Sequence, residues 1–162
     1  MQYHIRKDDN GLEAVFDETG KQVSKSWRHI YSYGLPSNDS QYYLVSNEHH
    51  WEAIFHISDP EKPVSDWHKH IGLRGLLLSE SDYYYAEPDY LRKGIFHVSN
   101  PNEPISGFHY GINAKGLLKG QVSFYTARDE EGEAIFSVNN PNEPLSKCWE
   151  SIRHAGILEV KD

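Results

Sequence analysis

Histidine is the reactive side chain this sequence carries in excess, with ten copies in 162 residues. The copies fall in register. An apolar phrase, Ala-Val-Phe, Ala-Ile-Phe or Gly-Ile-Phe, occurs four times, and the residue after it is Asp17, His56, His97 or Ser137. A serine recurs as Ser24, Ser65, Ser106 and Ser146, and three residues beyond it stand Trp27, His68, His109 and Trp149. His29 and His70 share a third position. If the chain closes into a ring, equivalent positions are related by a pseudo-fourfold axis and an inward-facing set converges. Asp17, His56 and His97 would then form a nitrogen and oxygen donor set suited to zinc or another transition metal. Packing is the competing reading and ranks first, because a histidine beside a buried aromatic bonds to backbone and duplication alone repeats it. The expectation is therefore no cofactor, with a transition metal as the second reading.

Other chemistry is weighed in the same way. In Trp-His-Lys-His (67–70) and His49-His50, strand alternation puts His68 and His70 on one face, where two imidazoles chelate a metal weakly. The plainer expectation for this run is an exposed strand. The aromatic runs Tyr42-Tyr43, Tyr83-Tyr84-Tyr85 and Phe124-Tyr125 offer a stacking surface, with one ring of each pair buried between repeats and its neighbour partly exposed. The recurring serines follow turns and are expected to bond local backbone. Cys148 stands where the other copies have Ser26, Trp67 and Phe108, and reads as a small apolar residue in the core. Asp129-Glu130-Glu131 reads as solvated loop charge. No GxSxG, HExxH, P-loop or GxGxxG sequence occurs, and no carboxylates are spaced as a general acid and base, so the expectation is no enzyme and no catalytic residue.

Composition narrows the partners. The net charge of −8, without a lysine or arginine block, disfavours phosphate backbones and so nucleic acid. A single cysteine excludes an internal disulfide and a CxxC metal site. The opening MQYHIRKDD has no apolar signal-like core, and no stretch approaches the roughly 18 apolar residues of a membrane helix, so a cytoplasmic chain is expected. Only 38% of residues are apolar while 13% are aromatic, which favours several small aromatic cores over one large one.

The elements that hold these residues come from the repeat. The recurring serines are separated by 41, 41 and 40 residues (24 to 65, 65 to 106, 106 to 146). The chain therefore reads as a single domain of four units, 3–41, 42–82, 83–123 and 124–162. Each unit starts with an aromatic strand (Tyr3–Arg6, Tyr42–Val45, Tyr83–Ala86, Phe124–Ala127), passes a polar connection, and enters the apolar strand. A turn follows, built on two prolines three residues apart in three copies and on Asp-Glu-Thr-Gly-Lys (17–21) in the first. Interchange of the two turns argues for one hairpin in all units, with Gly20 at positive φ in the short version. A third strand begins at Val23, Val64, Ile105 and Leu145. The segments Gly-Leu-Leu-Leu-Ser-Glu-Ser (75–81) and Gly-Leu-Leu-Lys-Gly-Gln-Val (116–122) read as a fourth. The last unit stops where an aromatic strand is due, and the chain opens on one. Tail and head would thus complete one hairpin, with Ile157–Val160 beside Tyr3–Arg6. The predicted fold is all-β, a closed ring of four repeats, most simply a small four-bladed β-propeller, with a hairpin pinwheel or barrel as the alternative.

The first unit, GLEAVFDETGKQVSKSWRHIYSYGL (11–35), resembles the WG-type β repeat: Val15-Phe16, Asp17, Gly20-Lys21, Val23, Trp27 and Gly34-Leu35 match its pattern, with Glu13-Ala14 where the Trp-Gly pair would stand. The phrases IFHVSNPNEPI and IFHISDPEKPV are similar to the LVIVD-type propeller repeat. Both resemblances imply binding or scaffolding repeats without shared catalytic residues.

The expected function is a non-catalytic binding module for a protein partner, with no nucleic acid and no membrane. Its surface would gather Trp27, Trp67, His68, Phe108, His109 and Trp149, which come from equivalent segments and would share one rim of a ring. Whether that rim faces the axis or packs between units is left open by the residues alone. The alternative is a small metal- or ligand-binding protein with a histidine cluster at the axis.

Overall fold

A computed structural model of the chain describes residues 2–32, 34–35, 40–72 and 75–149. These form four small antiparallel sheets. The first pairs β1 (Tyr3–Lys7) with β2 (Glu13–Asp17). The second is β3 (His29–Tyr31), β4 (Tyr42–Ser46) and β5 (Glu52–His56), and the third is β6 (His70–Ile71), β7 (Tyr83–Glu87) and β8 (Gly94–His97). The fourth is β9 (Gly111–Asn113), β10 (Phe124–Asp129) and β11 (Gly132–Ser137). Each of the last three sheets takes its first strand from the preceding repeat, so sequence repeats and sheets are out of step by one strand. The expected third strand is shared between two sheets. Its first half bonds to the apolar strand of its own repeat, and its second half pairs with the aromatic strand of the next.

That first half carries a bulge with a repeated cure. Val23 N–H donates to Val15 O (2.9 Å), and Glu13 and Trp27 exchange backbone bonds of 2.7 and 2.8 Å. Trp27 lies four residues past Val23, while Glu13 and Val15 are two apart, so the outer segment bows outward. The rung between the two bonds is filled by the recurring serine. Ser24 Oγ accepts from Val15 N (2.8 Å), and Ser65, Ser106 and Ser146 accept from Ile54, Ile95 and Ile135 N at 2.9 Å each. Each hydroxyl donates to the carbonyl of the following residue. The serines thus serve a neighbouring strand as well as local backbone, and the bow thrusts the residue two further on (Ser26, Trp67, Phe108, Cys148) away from the ladder.

The turns behave as the repeat predicts. In the first copy Gly20 has φ +87°, and Asp17 Oδ1 accepts from Thr19 N, Thr19 Oγ1 and Lys21 N at 2.6–3.0 Å. The proposed fourth strands do not form. Residues Gly75–Leu78 and Lys115–Leu118 are single helical turns, closed by bonds such as Glu80 N to Gly75 O (3.0 Å) and Gln121 N to Gly116 O (3.0 Å). A strand would send adjacent leucines to opposite faces, yet Leu76 and Leu77 are both buried, as are Leu117 and Leu118. One helical turn puts both into the same core.

Three cores lie between consecutive sheets. The first gathers Val15, Ile30, Tyr43 and Phe55; the second, Leu44, Ile71, Leu76, Tyr84 and Phe96; the third, Ile95, Leu117, Tyr125 and Ala127. In the two middle repeats alternation sends Ile54 and Ile95 to the following junction and Phe55 and Phe96 to the preceding one. No core joins the fourth sheet to the first among the described residues, and Ile157–Val160, expected to close the ring, lie outside them.

Candidate binding face

The candidate metal donors sit at their own hairpin turns. Asp17 Oδ1 caps the turn described above, and the Thr19 hydroxyl, then the backbone N–H of Lys21, holds its carboxyl below the usual carboxylate range. His56 Nδ1 accepts from Ser58 N (3.1 Å) and faces Ser58 Oγ at 2.7 Å; His97 does the same with Ser99 at the same distances. Ser137 Oγ completes the series by accepting from Asn139 N at 3.2 Å. Three residue types at four equivalent positions meet one need, an acceptor for the N–H two residues on. Each histidine also meets a tyrosine edge to face, Tyr42 with His56 and Tyr83 with His97, at 4.9 Å. No group of three histidine, cysteine or acidic side chains is placed to hold a metal among the described residues.

The expected rim separates into members packed between repeats and members open to solvent. In the last three repeats the apolar-strand phenylalanine stacks on the second aromatic of the preceding strand: Phe55 on Tyr43, Phe96 on Tyr84, Phe136 on Tyr125, at 5.4–5.8 Å. Onto this pair comes a ring from the preceding repeat, Trp27 on Phe55 (5.4 Å), His68 on Phe96 (5.1 Å) and His109 on Phe136 (5.8 Å). Trp27 and Trp67 also meet at 5.5 Å. Trp27, Trp67 and His68 are therefore packing between repeats, and His68, only 4% exposed, overturns the reading of 67–70 as an exposed strand. Burial pushes its imidazole pKa down, opposed by Asp66, and neither ring nitrogen has a hydrogen-bond partner among the described residues. As the alternation predicts, Tyr43, Tyr84 and Tyr125 are buried and Tyr42, Tyr83 and Phe124 only partly so. Burial raises all three buried phenols, that of Tyr125 to about 12. At the end of the series Trp149 is 56% exposed.

Sequence reasoning missed the partners of His29 and His70. Glu13 pairs with His29 and accepts from Ile30 N (3.3 Å); Glu52 faces His70 Nδ1 at 3.3 Å and accepts from Ile71 N (2.9 Å). The hydrogen bond to Glu52 raises the His70 pKa despite partial burial, with Glu87 adding to the effect. The repeat held only part of the clue: the third copy has Lys93 and Gly111 where the first two have glutamate and histidine, but the fourth keeps the acid, Glu133, with Ser151 at the histidine position.

The other rim members open onto solvent. Phe108 (40% exposed) and Tyr110 (53% exposed) flank a cleft of about 500 Å3 with Arg92, Asp129, Glu130 and Glu131. Arg92 is held by Asp89 (3.0 Å) while its guanidinium lies 4.9 Å over the Phe108 ring. His109 bridges Asp129 (2.9 Å) and the Ser106 carbonyl (2.8 Å). Glu130 has one long contact with the Tyr110 hydroxyl (3.4 Å), and Glu131 has no ion-pair partner among the described residues. The corresponding place one junction earlier is filled, because Lys69 Nζ lies 4.2 Å over Trp51 and 5.9 Å over Tyr90.

No family model, curated protein or solved structure matches the chain. The likeness to WG-type and LVIVD-type repeats thus rests on the motifs themselves. Among the described residues no helix is long and apolar enough to cross a membrane.

Proposed function

We propose that the chain is a non-catalytic β-repeat binding module and that its face at the junction of the third and fourth sheets takes a basic segment of a protein partner. The observation that carries this reading is the cleft in which exposed Phe108 and Tyr110 rings stand beside Glu130 and Glu131. An aromatic face attracts a cation through its quadrupole, and a carboxylate beside it adds charge complementarity. Arg92 over Phe108 is an internal instance of that contact, and the net charge of −8 steers a basic partner toward the surface. The test titrates the full chain with an arginine- and lysine-rich peptide and with its acidic counterpart. The basic peptide is expected to bind, more weakly as salt rises, and the double variant Phe108→Ala/Tyr110→Ala to lose about tenfold or more in affinity. Equal binding of both peptides, or a double variant that binds like the parent, overturns the reading.

We also infer that the four repeats close into a propeller-like ring. Support comes from the stacking series: Phe16 carries His4 and Arg6 but no ring from a preceding repeat, while Trp149 is the one member of its series without a phenylalanine beneath it among the described residues. A double-mutant cycle on Phe16→Ala and Trp149→Ala tests it, with a coupling of about 0.5–1.5 kcal/mol expected for stacked rings and none for separated ones.

A further inference from the structure

The bowed segment in each repeat places a different side chain at one spatial position, and the difference leaves a vacancy of recognisable shape. In the second repeat Trp67 fills that position, its ring 6.2 Å from Phe55 and 5.5 Å from Trp27. In the third, Phe108 lies 6.3 Å from Phe96, the ring that His68 covers. In the fourth, Cys148 stands there and is exposed, which corrects the expectation that it packs in the core. The equivalents of Phe55 and Trp27, namely Phe136 and His109, line a cleft of about 360 Å3 with Cys148, Ala134 and the prolines Pro141 and Pro144. Asp129 and Glu131 border both this cleft and the one beside Tyr110. Backbone bonds in this repeat repeat those of the second: Leu145 N to Ile135 O (2.7 Å) and Trp149 N to Glu133 O (2.9 Å) match Val64 N to Ile54 O (2.7 Å) and His68 N to Glu52 O (2.9 Å). The frame is therefore the one that seats an indole in the second repeat, with the indole replaced by a thiol.

We propose that the cleft between His109, Phe136 and Cys148 takes a planar aromatic side chain of the partner, in the place that Trp67 occupies two junctions earlier. This rests on the reading of the face as a protein-binding surface and names the apolar half of what it recognises: an aromatic residue beside a basic one. The ring would meet Phe136 edge to face, as Trp67 meets Phe55, and displace water from an apolar wall, while the shared carboxylates face the neighbouring cation.

The experiment uses the full chain and N-acetyltryptophanamide as probe, with N-acetylleucinamide as the aliphatic control. Saturable amide shifts at Ala134, Phe136 and Cys148 are expected with the aromatic probe, together with slower alkylation of Cys148, the sole cysteine. Cys148→Trp is expected to abolish the response by filling the cleft, and Cys148→Ala to keep it. Should Cys148→Trp fail to fold, Phe136→Leu keeps the shape apolar but removes the aromatic partner, and about tenfold weaker binding is expected. No saturable response, equal binding of the aliphatic control, or a folded Cys148→Trp that binds like the parent each overturns the proposal. Loss of the aromatic probe's response with basic-peptide binding retained would strike this inference alone, and loss of both would strike the face itself.

Discussion

The second and fourth repeats share one backbone and end differently. Around Phe55, 1% exposed, the second repeat assembles Tyr43, Trp27 and Trp67 into a closed aromatic cluster. Around Phe136 the fourth assembles Tyr125 and His109, leaves the third place to Cys148, and exposes Leu145 to 60% and Trp149 to 56%. The backbone bonds across the bulge are the same in both, down to the serine that fills the bulged rung. The repeat backbone thus sets where side chains go, and the residue at the bow decides whether that place is core or cleft. Duplication supplies the frame, and side-chain changes upon it turn structure into surface.

The sharpest way to break this comparison is to remove the two phenylalanines. Phe55→Ala empties a closed cluster and is expected to cost about 3–5 kcal/mol of stability. Phe136→Ala, at a half-buried ring beside an open cleft, is expected to cost about half as much, because the removed ring forfeits fewer contacts. Urea unfolding of both variants with fitted m-values reads the difference. Equal costs would mean that the fourth repeat is packed like the second.

The serine rung gives a smaller contrast. Ser65→Ala leaves Ile54 N–H buried without its acceptor, and a loss of about 1–3 kcal/mol is expected. Ser146 is only partly buried, so water can reach Ile135 N–H after Ser146→Ala, and a loss under about 1 kcal/mol is expected. Amide exchange at Ile54 and Ile135 checks the same point locally: Ile54 should lose more protection.

Period, hairpin positions and the burial of one aromatic per pair were legible from residue types, because strand alternation and turn chemistry are local rules. The short turn around Asp17 and the proline turns carry their own instructions, so their equivalence could be read by aligning copies. The leucine segments at 75–81 and 116–122 misled, since adjacent apolar residues suit a buried strand or a single helical turn and only the shape of the core decides. For His56 and His97 the packing reading, ranked above metal binding, takes a definite form: equivalence within a repeat says that residues do the same task, and the task here is to accept a backbone N–H at a turn. The division of the third strand between two sheets was invisible, because pairing partners far apart in the chain leave no mark on local pattern. Cys148 was noticed as an interruption, but its exposure depends on what surrounds it, which a repeat alignment does not carry.

The smallest expected effect lies within one strand segment. His68 and His70 are separated by one residue and titrate in opposite directions from the ordinary histidine value of about 6.5. Burial among rings disfavours the charged form of His68 and lowers its pKa, whereas the Glu52 carboxylate favours the charged form of His70 and raises it. The signs for stability follow by linkage. His68 contributes stability that is present above its unfolded pKa and lost as pH falls through the lower folded value. His70 contributes stability that is present below its unfolded pKa and lost as pH rises through the higher folded value. Proton titration by NMR should place the His68 midpoint below that of His70. His68→Phe, which keeps a ring against Phe96 but no titratable nitrogen, should flatten the acid side of the stability profile and leave the alkaline side unchanged. His70→Gln should do the reverse, removing the gain on acidification while the acid-side loss from His68 persists. A single shared midpoint for the two histidines would mean that the ring at 68 is not enclosed, and that the junction between the second and third sheets, where it covers Phe96, is open like that of the fourth repeat.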